Sequence, residues 1–71
     1  GMTVLAGHIH PAITLRGAGH QRLRLPCYWW QDRMLILPAF GEFTGGATLE
    51  ATRDARVWPV GGGAVWPAIR P

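Results

Sequence analysis

The sequence predicts a mainly-β fold: five or six short antiparallel strands joined as hairpins, with at most one short helix. Three observations carry that expectation. Apolar and polar residues alternate with period two over Ala12-Ile13-Thr14-Leu15-Arg16 and again over Gln21-Arg22-Leu23-Arg24-Leu25. Glycine and proline punctuate the chain at short intervals, with ten glycines and six prolines in 71 residues. The apolar runs are short and rich in β-branched and aromatic residues, and none reaches membrane-spanning length.

Taken in order, Gly1 ahead of Met2 reads as the remnant of a removed tag and is left out of the fold, making Met2 the expected start of a short reading frame. Thr3-Val4-Leu5-Ala6 suits a short buried strand. It runs into Gly7-His8-Ile9-His10-Pro11, where proline removes a backbone donor, stops the ladder and stiffens the turn. The two alternating stretches that follow form a hairpin around Gly17-Ala18-Gly19, with Ile13 and Leu15 on one face and Thr14 and Arg16 on the other. His20 falls at its tip. After Pro26, Cys27-Tyr28-Trp29-Trp30 and Met34-Leu35-Ile36-Leu37 read as a second hairpin turning near Asp32. Its outgoing strand is apolar on both faces, as a central strand should be. Phe40 to Gly46 is a glycine-rich loop with no Lys-Ser/Thr after it, which rejects a phosphate-binding P-loop. Residues 47–53 allow one or two helical turns. Val57-Trp58-Pro59 and Val65-Trp66-Pro67 flank a triple glycine, a third hairpin whose prolines place it at a sheet edge or in irregular pairing.

The chain is one domain with a marginal core, since a domain this small buries only about 60% of the surface its unfolded chain exposes. A single cysteine, Cys27, excludes an internal disulfide, and a half-buried structural thiol is expected there. Four tryptophans with little charge are rich for a monomer and point to a homo-oligomer, with Trp58 and Trp66 as interface candidates. No signal sequence is visible, so a cytoplasmic protein without membrane contact is expected. All seven basic residues are arginine, which a GC-rich genome accounts for.

Two residue groups carry possible chemistry. His8 and His10, one residue apart in an extended turn, place two imidazoles where they can face one metal ion or a pair; the alternative is two solvent-exposed loop histidines. Arg16, Arg22 and Arg24 share one hairpin face and form a candidate phosphate or nucleic-acid contact, with Trp58 and Trp66 as candidate stacking residues. Three arginines on a hairpin are more often simply the solvated side of an antiparallel sheet.

Gly7-His8-Ile9-His10-Pro11 resembles the last metal-binding motif of the calcineurin-like metallophosphoesterases. The stretches Arg22-Leu23-Arg24-Leu25-Pro26-Cys27-Tyr28, Leu35-Ile36-Leu37-Pro38-Ala39-Phe40-Gly41 and Phe43-Thr44-Gly45-Gly46 are similar to the tail of the bacterial ligase-associated DNA-repair phosphoesterases. The likeness runs from about Val4 to about Val60. It implies the C-terminal portion of an αββα sandwich, a divalent metal (manganese), and His8 and His10 each ligating one ion of a pair. The family's other ligands sit in Asp-x-His, Gly-Asp-x-x-Asp and Gly-Asn-His motifs. Here the only aspartates are Asp32 and Asp54, in no such setting, and there is no asparagine. Two-metal hydrolysis needs both ions held a few ångströms apart around a shared water, and two histidines cannot hold them. The resemblance therefore implies a phosphoesterase portion that is inactive alone. Two alternatives stand beside it: a small oligomeric β module binding nucleic acid, or a subunit that completes a metal site with a separate chain carrying the missing motifs.

Overall fold

The computed structural model of the chain describes residues 2–5, 9–39, 46 and 49–71. Six strands form a single sheet: β1 (Thr3–Leu5), β2 (Ala12–Arg16), β3 (Arg22–Gln31), β4 (Met34–Ile36), β5 (Arg56–Gly61) and β6 (Ala64–Val65). The order is β1-β4-β3-β5-β6, with β2 also hydrogen-bonded to β3. The fold is mainly β, and no helix occurs among the described residues.

β3 is ten residues long and organises the rest. Its first half pairs with β2, from Arg16 opposite Arg22 to Ala12 opposite Pro26. Its second half pairs with β5 along one edge and β4 along the other, so Trp29 lies opposite both Val57 and Ile36. Alternation along β3 puts Leu23, Leu25, Cys27, Trp29 and Gln31 on one face, and Arg22, Arg24, Pro26, Tyr28 and Trp30 on the other. The first set faces the core. Cys27, Trp29, Ile36 and Val57 are fully buried together, with Ile13 and Leu49 packed against them. Contacts between β2 and β5 show that the β2–β3 hairpin curls over this face.

The three hairpins form where the sequence places them. Gly17 N–H donates to Gln21 C=O at 3.0 Å and closes a three-residue loop in which Gly19 has φ 68°. Gly62 and Gly63, at φ 60° and 75°, make the two-residue turn between β5 and β6. Both angles are positive, as the hairpin turn that matches strand twist requires. Asp32 and Arg33 adopt φ 50° and 60° in the β3–β4 turn. Aspartate tolerates this conformation, whereas arginine is strained in it. Pro59 sits in β5 without disrupting it, because its C=O, accepting from Trp66 N–H at 2.7 Å, is the only group the pairing with β6 uses there.

Several features depart from the expected architecture. β1, expected to be buried, is an edge strand with Val4 52% exposed. β3 runs unbroken through Pro26, where the sequence suggested a break. β1 pairs parallel to β4, Val4 opposite Leu35, so one pairing in the otherwise antiparallel sheet is parallel. Such a pairing joins segments some thirty residues apart, and hairpin signals report only neighbours. The anticipated helical turn at 47–53 is absent from its described part, 49–53. There the backbone is held by a side chain instead. Gln31 Nε2 donates to Glu50 C=O at 3.2 Å, and Gln31 Oε1 accepts from Thr52 N–H at 3.2 Å and from Trp29 Nε1 at 2.9 Å. The same segment delivers Leu49 and Ala55 to the core.

Gln31 thus ties the buried indole to the covering segment. Replacing Gln31 by leucine orphans those donors and should cost about 1–3 kcal/mol. For a chain this size each kcal/mol lowers Tm by roughly 4–8 °C, which a thermal melt followed by tryptophan near-UV signal resolves. Gln31→Glu keeps the acceptor for Trp29 and Thr52 and should lose less; equal melting of all three proteins would remove Gln31 from this role.

Candidate functional site

In sequence, the Gly-His-x-His stretch joins the carboxyl end of β1 to the start of β2. His8 lies outside the described residues, as do Ala6 and Gly7. Ile9 and His10 are exposed, and Pro11 beside them is fully buried, its C=O accepting from Cys27 N–H at 3.1 Å. His10 therefore stands at the rim of the sheet on a rigidly anchored neighbour. Because β1 and β4 are parallel and in register, with Leu5 opposite Ile36, their carboxyl ends lie side by side. The histidine turn leaves one; Leu37-Pro38-Ala39 leaves the other.

No group of three or more histidine, cysteine, aspartate or glutamate side chains able to hold a metal occurs among the described residues. His10 supplies one imidazole there and belongs to no such group among the described residues. These residues alone do not build a metal centre, and no hydrolytic step can be assigned to them.

The arginines assemble as alternation requires. Arg16 is directly opposite Arg22, and Arg24 follows opposite Thr14, all three arginines exposed on the same face. Arg24 Nη1 donates to Thr14 Oγ1 at 3.2 Å and Nη2 to the Gly46 C=O at 2.9 Å, which fixes its guanidinium along the hairpin. At about 3.3 Å per strand residue, the rows at Thr14 and Arg16 lie roughly 13–20 Å beyond His10 along the hairpin. The arginines and the histidine turn are therefore two separate surfaces. His20 is exposed at the hairpin tip.

The two tryptophans of the near-repeat do not come together. Trp58 is opposite Tyr28 on the outer face. Trp66 pairs with Pro59, lies on the core side over Gly61, donates from Nε1 to the Gly61 C=O at 3.2 Å, and remains 38% exposed. What the repeat does not reveal is a different grouping: Tyr28, Trp30 and Trp58 share the outer face with Arg56, which is opposite Trp30. Strand parity along β3 was the signal for it.

Cys27 is fully buried, and that burial pushes its thiol up to about 12 against the opposing influence of Arg24. At neutral pH it is a protonated, inert packing group. At Asp54, a hydrogen bond from the Thr52 hydroxyl is the main cause holding the carboxylate below its ordinary range, and this pair shapes the turn before β5.

The buried thiol makes stability fall in alkali. An unfolded chain releases this proton near 9.0, whereas the folded chain keeps it to about 12, so between those values the unfolded state binds fewer protons and stability declines as pH rises. Below that window the thiol contributes no pH dependence. Denaturant titrations at pH 7 and pH 10.5 should show a larger alkaline loss for the native chain than for Cys27→Ala, and parallel losses would refute the assignment.

No protein-family profile, no curated protein and no solved structure matches this chain.

Proposed function

We propose that this chain is the C-terminal portion of a metal-dependent phosphoesterase acting on nucleic acid. It contributes the His8 and His10 imidazoles to a site whose aspartate and asparagine ligands come from elsewhere, and alone it has no turnover. The observation that carries this reading is the shared sheet end. β1 leads into Gly7-His8-Ile9-His10-Pro11 and runs parallel to β4, which spans Met34–Ile36 at the head of Leu35-Ile36-Leu37-Pro38-Ala39-Phe40-Gly41. The two stretches bearing the family likeness therefore follow from neighbouring strands that end with Leu5 opposite Ile36. A divalent ion, manganese by resemblance, would supply Lewis acidity once the missing ligands were present. The part played by this chain is to supply its two histidines from the segment that connects β1 and β2. On this reading the protein works in the cytoplasm, its partner being a chain or segment that carries the missing motifs.

Hydrolysis of bis-p-nitrophenyl phosphate with added manganese tests the reading. The chain alone should give no rate above the metal control, and adding a polypeptide carrying Asp-x-His, Gly-Asp-x-x-Asp and Gly-Asn-His motifs should produce activity that His10→Ala removes. Turnover by the chain alone that His10→Ala abolishes would overturn the claim of inactivity. Reconstituted activity indifferent to His10→Ala would overturn the histidine assignment.

One observation favours a second reading, a nucleic-acid-binding module in its own right, working as a homo-oligomer. Like charges directly opposite on a sheet are destabilising, and Arg16 faces Arg22. A polyanion relieves that repulsion, and Tyr28, Trp30 and Trp58 on the same face offer rings on which bases stack. Binding to a single-stranded oligonucleotide should weaken with salt. Replacing Arg16 and Arg22 together by glutamine should flatten the log–log salt slope by about 1.4, at roughly 0.7 per phosphate contact. An unchanged slope would sink this reading without touching the first.

A further inference from the structure

We propose that the outer edge of β2 takes up an extended acidic peptide as an additional strand, with Arg16 and Arg70 meeting its carboxylates. The inference rests on backbone geometry and is independent of the histidine turn. In the β2–β3 ladder, Cys27 N–H bonded to Pro11 C=O and Gly17 N–H bonded to Gln21 C=O mark the hydrogen-bonded rows. Alternation then directs the N–H and C=O of Ile13 and Leu15 toward β3. Those of Ala12, Thr14 and Arg16 point the other way, where no strand pairs with β2 among the described residues. Edge strands are usually blunted by proline, lysine, a bulge or a covering element. β2 is bounded by Pro11 before it and by the charge of Arg16 at its end, but Ile13-Thr14-Leu15 between them carries none of these.

This edge opens onto a cavity. All five residues of β2 line a slot of about 570 Å³ that is floored by Trp29 and Leu49 and bounded by residues 69–71. Its volume falls within the roughly 300–1,000 Å³ typical of ligand pockets. Consecutive lining by β2 residues of both parities means that the slot follows the strand edge and does not merely cover one face. The far wall is held in place, because Ile69 and Val57 exchange two backbone hydrogen bonds of 2.9 Å. Ala12 is fully buried, so an added strand would bond to the outward rows at Thr14 and Arg16. It would set alternate side chains against Ile13 and Leu15, which asks for apolar residues at those positions.

Charge selects the partner. Arg16 and Arg70 both line the slot, and no aspartate or glutamate side chain occurs among its described lining residues. Arg70 Nη2 donates to the Arg53 C=O at 2.9 Å, which holds its side chain in place and leaves its other N–H groups available. The whole chain carries a net charge of +3. A second copy would bring further positive charge to this edge, whereas a peptide alternating glutamate with valine complements both the guanidiniums and the apolar floor.

A fluorescein-labelled hexapeptide of alternating glutamate and valine, followed by anisotropy with the full chain at low salt, tests the proposal. Saturable binding is expected, with a lysine–valine hexapeptide at least about tenfold weaker. Thr14→Pro deletes an outward N–H without removing a β2–β3 bond and should also weaken binding at least about tenfold. Arg16→Glu combined with Arg70→Glu, two surface changes, should invert the peptide preference and decides the matter should Thr14→Pro lose its near-UV signature. No binding by the native chain, equal affinity for both peptides, or unchanged affinity in the folded Thr14→Pro protein would each overturn the proposal. So would a dimer in sedimentation that Thr14→Pro converts to monomer, since the edge would then belong to a second copy.

Discussion

The pairing of one tryptophan on two sides holds this small fold together. Trp29 sits near the end of β3 with Ile36 against one edge and Val57 against the other, so its ring is enclosed by the two strands that β3 itself recruits. It is 1% exposed. A buried indole needs a partner for its N–H, and Gln31, two residues on and on the same face, supplies it. That amide then reaches Glu50 and Thr52, so one polar contact draws the segment before β5 across the core. Without a disulfide or a helix in the described residues, this arrangement of ring, amide and backbone is what substitutes for a larger core.

The length of β3 has a second consequence. A ten-residue strand extends past its core partners, and its first half lies beyond the ring that closes the centre. There it pairs only with β2, and the hairpin so formed carries the basic face outward and its edge over a slot. The chemistry therefore changes along β3. The carboxyl ends of β1 and β4 and the exposed His10 lie beside its middle, whereas the hairpin at its start presents guanidiniums. A metal-site contribution and a strand-accepting edge can coexist because they use different parts of the same sheet.

Much of this was legible along the chain. Period-two alternation over 12–16 and 21–25, the glycines at 17–19 and 61–63, and Asp32 between two apolar runs all act within a few residues, and each produced the hairpin it announced. The structural role of Cys27 was legible as well, since a lone thiol in an apolar strand is buried, and that burial outweighs the lowering influence of Arg24. The likeness of residues 47–53 to a helix misled because helical propensity is weak over one turn, and Gln31 competes for the same backbone groups from twenty residues away. The paired Val-Trp-Pro stretches looked equivalent, yet Trp58 and Trp66 fall on opposite faces because one lies on β5 and the other pairs with it past β6.

By itself the sequence determined the strands, their turns and which arginines share a face, because local sterics and a two-residue period decide those. It also carried the histidine turn as a pattern. Only the tertiary structure decided that β1 runs parallel to β4, that Leu5 and Ile36 end side by side, and that no described strand pairs with the outer edge of β2. Those outcomes depend on which distant strands satisfy each other's backbone groups and bury Trp29, and no local pattern records that choice.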